Sequence, residues 1–147
     1  MSFTVTSTAF AEGNPIPREN TCDGADQPLP IAWTGVPAGT TELALLMDDP
    51  DAGGFVHWVV TGIPPTASGI SGGALPPGAR NGRTGFGRAG YGGPCPPSGT
   101  HRYVITLYAL SSPLDVATTP TAAEVRQAAA GRTLATAVLG GTYARAR

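Results

Sequence analysis

Two histidines and a group of aspartates are the side chains of this 147-residue chain best suited to acid–base chemistry or to binding a charged ligand. Asp49 and Asp51 stand shortly before His57, and His101 stands two residues before Tyr103. Imidazole, carboxylate and phenol groups donate or accept hydrogen bonds, and an imidazole beside a carboxylate can act as a general base. We therefore consider two kinds of site, one that holds an anion and one that hydrolyses an ester.

These residues occupy the ends of predicted strands, where side chains alternate between the two faces of a sheet. Alternation predicts that His101 and Tyr103 share one face and that Arg102 points to the other. The same rule predicts that His57 and Trp58 point in opposite directions. Only five residues separate Asp51 from His57, so these two strand ends are expected to lie close together.

The elements that must position these residues are mostly strands, because apolar runs are short and turn residues are frequent. One helix is predicted, from a capping box at Thr121–Glu124 to Ala130, with Gly131 placed to end it. The order favours antiparallel pairing with one late helix. The predicted strands are Phe3–Thr8, Leu29–Thr34, Glu42–Asp48, Phe55–Ile63, His101–Leu110 and Thr133–Tyr143.

A long segment rich in glycine and proline, Pro65–Gly99, connects two of the predicted strands and has room for short strands at most. Loops of this length inside a compact domain are usually functional or disordered. Prolines stiffen its last part, Gly90–Gly99, and free backbone N–H groups there could cradle a phosphate or a carboxylate. The alternative is a flexible lid or a surface turn without a ligand.

Composition excludes several classes of protein. The net charge of −1 argues against a nucleic-acid binder, and no apolar run is long enough to span a bilayer. The first residues lack the pattern of a secretory signal, so we expect one cytoplasmic domain over residues 1–147. Residues 52–114 contain four arginines, both histidines and no acid, which suits an anion unless the arginines are solvated loop charges.

Cys22 and Cys95 are the only cysteines, and they either pair or stay reduced in a cytoplasm. They lack the close spacing of zinc ligands, so neither a metal nor another cofactor is predicted. Ser98 lacks the G-x-S-x-G context of a nucleophilic serine, so no nucleophile accompanies the histidines. The sequence therefore favours a protein that is not an enzyme.

Two motifs carry a resemblance to the phosphatidylethanolamine-binding protein family, which includes the Raf kinase inhibitor proteins. The first is Asp49-Pro50-Asp51-Ala52 followed by His57-Trp58. The second is Gly90–Pro97 with Gly99 and His101-Arg102-Tyr103. The stretches Thr21–Gly24 and Gly141–Tyr143 resemble the bacterial branch of the family.

This resemblance implies a mainly β fold in which a large antiparallel sheet packs against a smaller one, with one or two peripheral helices. It also implies a small anion pocket at one end of the sheets. Arg102 is expected to hold the loops through Asp23 or Asp51, with Trp58 as further support. The pocket residues carried over by position are Asp49, His57, His101 and Tyr103, with Gly93, Pro94 and Pro96 in the wall.

The function implied is the binding of small phosphorylated or other anionic ligands that resemble a phospholipid headgroup, with a regulatory role. The alternative is a protein that docks on a kinase or a serine protease and inhibits it. Both histidines are expected to donate hydrogen bonds to phosphate oxygens, so binding should tighten as the pH falls from 8 to 6. A homodimer is expected from bacterial relatives, and Gly53-Gly54, where the family often has proline, suggest a more mobile pocket mouth.

Overall fold

A computed structural model describes residues 2–145, which form eight strands and one α-helix. Two single 3-10 turns, Arg18–Asn20 and Pro50–Ala52, interrupt the loops. The helix is α1 (Ala122–Ala129). The strands are β1 (Thr4–Thr6), β2 (Ile31–Thr34), β3 (Glu42–Asp49), β4 (Phe55–Ile63), β5 (Gly69–Ile70), β6 (Arg80–Asn81), β7 (Thr100–Leu110) and β8 (Thr133–Ala144).

All strand pairs are antiparallel, and they form two sheets of unequal size. The larger sheet has five strands in the order β6-β4-β3-β7-β8, and the smaller has three in the order β1-β2-β5. This arrangement confirms the predicted fold class. It also brings β7 directly beside β3, a pairing that the sequence alone did not require.

The central strand β3 is buried on both faces, as its continuous apolar run predicts. Leu45 and Met47 belong to a hydrophobic cluster that both sheets share, and Trp33 of β2 is part of it. Leu46 faces the other way and packs in a second cluster with Val125 of α1. The helix therefore covers one face of the larger sheet, and the smaller sheet covers the other.

Helix α1 begins where the sequence predicts. The Thr121 hydroxyl accepts a hydrogen bond from the Glu124 backbone N–H at 3.2 Å, and the Glu124 carboxylate accepts one from the Thr121 N–H at 2.9 Å. Such a cap contributes about 1 kcal/mol to helix stability. Over residues 2–145, none of the helical structure is long and apolar enough to cross a membrane.

The segment Pro65–Gly99 contains the two short strands β5 and β6 and is otherwise irregular. Its last part returns to the end of the larger sheet where β3, β4 and β7 carry the candidate residues. Two backbone hydrogen bonds join this part of the loop to β4. The Gly85 N–H donates to the Val56 carbonyl at 2.8 Å, and the Gly92 N–H donates to the His57 carbonyl at 3.0 Å.

Candidate functional site

Asp49 is the last residue of β3, and its carboxylate is the most strongly engaged group at this end of the sheet. Oδ2 accepts a hydrogen bond from Nδ1 of His101 at 2.6 Å, and Oδ1 accepts one from the Asp51 backbone N–H at 2.9 Å. Asp49 is only 3% exposed, whereas its neighbour Asp48 points toward α1 and pairs with Arg126 at 2.8 Å near the surface. The two aspartates therefore differ in role because successive side chains of β3 point to opposite faces of the sheet.

His57 departs from the alternation that the sequence predicts. The register of β3 and β4 pairs Met47 with Trp58 and Asp48 with Val56, so His57 is an extra residue in a β-bulge. Its ring lies 5.2 Å from the ring of Tyr103, which shares a hydrophobic cluster with Trp58. The prediction that His57 and Trp58 point to opposite faces is therefore wrong, because the bulge re-aims the imidazole.

The loop residue Gly92 fixes the orientation of the His57 ring. Nδ1 of His57 donates to the Gly92 carbonyl oxygen at 2.7 Å, while the Gly92 N–H donates to the His57 carbonyl. His57 is 3% exposed, and this burial lowers the pKa of its imidazole, although the Gly92 carbonyl and Asp49 act in the opposite direction. The ring is thus held in one orientation in a dry environment that disfavours its charged form.

Tyr103 lies between the two histidines and is almost completely buried. Its ring is 5.2 Å from His57 and 6.4 Å from His101, on which it stacks. Among the described residues none completes a hydrogen bond to its hydroxyl, although the Asp49 carboxylate and the Cys95 backbone lie near enough to affect its pKa. Burial raises the pKa of this phenol, and the nearby carboxylates of Asp49 and Asp51 raise it further, so the group remains a neutral O–H donor.

These side chains line a cavity of about 180 Å³ at the end of the larger sheet. An aromatic side is formed by Phe55 and Phe86, whose rings meet edge to face at 4.9 Å. Phe86 is 41% exposed at the mouth, and the Arg88 guanidinium lies over its ring. The complete lining is Asp49, Ala52, Phe55, His57, Phe86, Cys95, Pro96, Pro97, His101 and Tyr103.

Most of the predicted pocket residues therefore come together, but Gly93 and Pro94 do not line the cavity. They hold the loop behind it: the Gly93 N–H donates to Oδ1 of Asp26 at 2.9 Å, and the Pro94 carbonyl accepts from the Cys22 N–H at 3.1 Å. A Cβ atom at Gly93 would collide with the Asn20 carbonyl oxygen and with the Asp26 carboxylate. Glycine is required there by this close approach.

Cys22 and Cys95 form a disulfide, with their Cα atoms 5.4 Å apart. The sequence left this pairing open. Cys95 also lines the cavity, so the bond ties one wall of the site to the segment that contains Cys22. Sequence reasoning did not assign Cys95 to the cavity, nor Ala52, Phe55, Phe86 and Pro97. An isolated aromatic residue between two glycines, Gly85-Phe86-Gly87, is the feature of the sequence that could have indicated this part of the cavity wall.

The supporting contacts of Arg102 differ in part from the prediction. Its backbone N–H donates to Oδ2 of Asp51 at 2.7 Å, so Asp51 does join the two motifs, but without the guanidinium. Asp23 pairs instead with Arg145 at 3.1 Å and accepts from the Tyr143 hydroxyl at 2.7 Å, which lowers the pKa of its carboxyl group. Trp58 supports the site from the core, where its indole N–H donates to Asn81 at 3.1 Å.

The charges around the cavity are not those that the arginine-rich middle segment suggested. None of the arginines among residues 2–145 lines it. Arg83 donates to the Gly87 carbonyl at 3.0 Å, and Arg88 stacks on Phe86 outside the lining. Within residues 2–145, no group of three or more His, Cys, Asp or Glu side chains is arranged to hold a metal ion.

The comparisons with known proteins agree with this fold. Residues 6–144 match the family model described as phosphatidylethanolamine-binding protein. A UPF0098 protein of Methanothermobacter thermautotrophicus is 43% identical, covering 93% of this chain and 95% of its own. The "Putative lipoprotein LppC" of Mycobacterium tuberculosis is 44% identical, covering 96% and 72%.

A solved structure supports the same assignment. The crystal structure of Escherichia coli YbcL, described as a new member of the mammalian PEBP family, superposes with a TM-score of 0.91. Its sequence is 32% identical, and the match covers 99% of this chain and all of the other. The chain therefore belongs to the phosphatidylethanolamine-binding protein family, in its bacterial branch.

Proposed function

We propose that this protein binds small phosphorylated or other anionic ligands in the cavity formed by Asp49, His57, His101 and Tyr103. The observation that carries the proposal is the hydroxyl of Tyr103 in the cavity lining, to which no residue in the described range 2–145 completes a hydrogen bond. Buried polar groups are nearly always hydrogen-bonded, and an orphaned donor costs about 1–3 kcal/mol. The hydroxyl is covered from solvent, so a ligand oxygen would reach it through a small shift of the cavity wall, and that contact would remove the cost.

His101 supplies the second donor when its imidazole carries both protons. Its Nδ1–H is used by Asp49, which leaves Nε2 as the ring nitrogen free to meet a ligand. The side chain is 16% exposed, so the ring remains accessible from the cavity. The Asp49 carboxylate at Nδ1 fixes the orientation of the imidazole ring. Hydrogen bonds to an ionised ligand contribute about 1.5–3 kcal/mol each, so His101 and Tyr103 together would hold a phosphate.

The negative charge of Asp49 is compatible with an anion because neither carboxylate oxygen is left free. Oδ2 accepts from His101, and Oδ1 accepts from the Asp51 N–H. Each bond offsets part of the charge, so a ligand would meet the imidazole rather than the carboxylate. The apolar ring of Phe86 at the mouth suits the organic part of a phosphate ester.

We further propose that the protein is not an enzyme. Over the described part of the chain, the lining contains no serine, threonine or free thiol, since Cys95 is in the disulfide. Tyr103 is the one hydroxyl present, and the raised pKa of its phenol makes it a poor nucleophile. Inhibition of a kinase or a serine protease stays the alternative prediction. A pull-down retained after substitution of both histidines would favour it.

The test is a titration with phosphoethanolamine, followed by NMR through the histidine ring resonances of the wild type, His101→Ala and Arg102→Ala. His101→Ala should weaken binding at least about tenfold, the effect of one charged hydrogen bond. Arg102→Ala is the matched control, because its side chain is exposed and outside the lining, and it should bind normally. Binding should also tighten from pH 8 to pH 6. Equal affinities for the wild type and His101→Ala would contradict the proposal.

A further inference from the structure

The hydrogen bond between His57 and Gly92 determines which nitrogen of His57 faces a ligand, and in which form. A carbonyl oxygen only accepts, so the proton of the neutral His57 ring must be on Nδ1, which lies 2.7 Å from the Gly92 oxygen. Nε2 then carries a lone pair and accepts hydrogen bonds. His57 lines the cavity, and Nε2 is its one remaining polar ring atom.

The surroundings of His57 disfavour its charged form. Its ring packs edge to face against three aromatic rings, at centroid distances of 5.2 Å from Phe55, 5.5 Å from Phe86 and 5.2 Å from Tyr103. This burial lowers the pKa of His57. The charged and titratable groups around the ring are Asp49 on β3, Tyr103 and His101 on β7, Asp26 behind Gly93, and Arg88 beyond Phe86.

The cavity thus combines an acceptor with two donors. Nε2 of His57 accepts, whereas the hydroxyl of Tyr103 and Nε2–H of protonated His101 donate. A fully deprotonated anion satisfies the donors but presents only lone pairs to His57. A ligand that carries one acidic O–H beside its anionic oxygens satisfies all three groups.

We infer that the cavity selects phosphoryl groups in their singly protonated form, with the P–OH donating to Nε2 of His57. The other phosphoryl oxygens accept from Tyr103 and His101. The inference rests on the proposed function and names its ligand class more narrowly. Phosphate monoesters, whose second pKa is about 6, carry this proton under mildly acidic conditions. Phosphate diesters and sulfate esters have the same charge but no proton, so the cavity discriminates against them.

Phenyl phosphate and phenyl sulfate provide a matched pair of probes. They have nearly the same size and, at pH 5.5, largely the same charge, and they differ by the acidic proton. Wild-type protein should bind phenyl phosphate at least about tenfold more tightly at pH 5.5, since the sulfate leaves the buried acceptor unpaired. The preference should shrink at pH 8, where phenyl phosphate has lost its proton. NMR titration of the histidine ring resonances measures both affinities.

Two variants separate the roles of the three groups. In His57→Asn the side-chain amide can still donate to Gly92, but its acceptor oxygen ends short of the position of Nε2, so the preference for phosphate should fall to near one. Tyr103→Phe removes a donor that both probes use, so both should bind more weakly while the preference for phosphate is retained. If His57→Asn does not fold, the comparison of the wild type at pH 5.5 and pH 8 still decides the question.

The outcomes distinguish the selection of a protonated phosphoryl group from anion binding in general. Equal affinities for phenyl phosphate and phenyl sulfate, or a preference for phosphate that grows from pH 5.5 to pH 8, would overturn the selection and leave anion binding intact. Failure of both probes to bind would overturn the anion site itself, and the selection with it.

Discussion

The cavity has two walls that are held in place by different forces. The sheet wall, defined as Asp49, His57, His101 and Tyr103, is carried by β3, β4 and β7, with β3 paired to both of the other strands. The loop wall, defined as Phe86, Cys95, Pro96 and Pro97, belongs to irregular chain. It is held by one disulfide and a few separate hydrogen bonds, among them Tyr91 to the Asn20 carbonyl at 2.7 Å.

The contrast shows that the sheet wall and the loop wall have different roles in binding. Groups that must meet a ligand at hydrogen-bond distance are placed on the sheet, where strand pairing fixes them. The residues that determine the size and access of the cavity are on the loop, where the chain can vary without disturbing the sheet. Breaking the loop wall should therefore affect mainly stability, and breaking the sheet wall should affect both stability and binding.

Removal of the disulfide should have the largest effect on stability. Cys22 and Cys95 are 73 residues apart, and the chain-entropy model assigns a crosslink of this span about 4 kcal/mol. The double variant Cys22→Ser, Cys95→Ser should lose about that much in the free energy of unfolding, measured with urea. The sheet wall should remain, so phosphoethanolamine should still shift the His101 resonances. A double variant as stable as the parent would show that the loop wall does not depend on this bond.

Asp49→Asn should reduce both stability and binding. Asparagine has one acceptor oxygen where the carboxylate has two, so either His101 or the Asp51 N–H loses its partner. We expect a loss of about 3 kcal/mol in unfolding free energy, as for a broken buried pair, together with loss of phosphoethanolamine binding. Asp48→Asn is the matched control on the same strand: its pair with Arg126 is near the surface and should contribute less than about 1 kcal/mol. Equal effects of the two substitutions would contradict the distinction between them.

The smallest expected effect concerns pH. Because the folded protein lowers the pKa of His57, the unfolded chain binds more protons below about pH 6.5, and stability falls as the pH falls. His57→Asn should flatten the dependence of unfolding free energy between pH 7 and pH 5, by at most about 1.4 kcal/mol per pH unit. Asp23 does not interfere, because its lowered pKa keeps it ionised throughout this range. Parallel profiles for the variant and the wild type would contradict the assignment of a buried, neutral His57.

Much of the fold could be predicted from local patterns. Apolar runs between turns predict the long strands β3, β4, β7 and β8, and the cap at Thr121 predicts α1. The alternation rule also placed His101 and Tyr103 on one face, as found. These properties depend on residues close in sequence, so spacing is enough to infer them.

The remainder depends on contacts between distant residues. The bulge at His57 is a property of how β4 pairs with β3, so counting along one strand misses it. The pairing of Cys22 with Cys95, and the approach of Phe86 to Phe55, require the path of the loop after β4. The resemblance implied that Arg102 contacts Asp23 or Asp51, whereas in the structure Asp23 contacts Tyr143 and Arg145.

The central claim is that a phosphoryl group binds between His101 and Tyr103. A crystal structure of the protein with phosphoethanolamine at pH 6 tests it most directly. The account predicts phosphate oxygens at hydrogen-bond distance from the Tyr103 hydroxyl and from Nε2 of His101, with the Asp49–His101 contact unchanged. Density for the ligand elsewhere on the protein, with the Tyr103 hydroxyl still unpartnered, would contradict it.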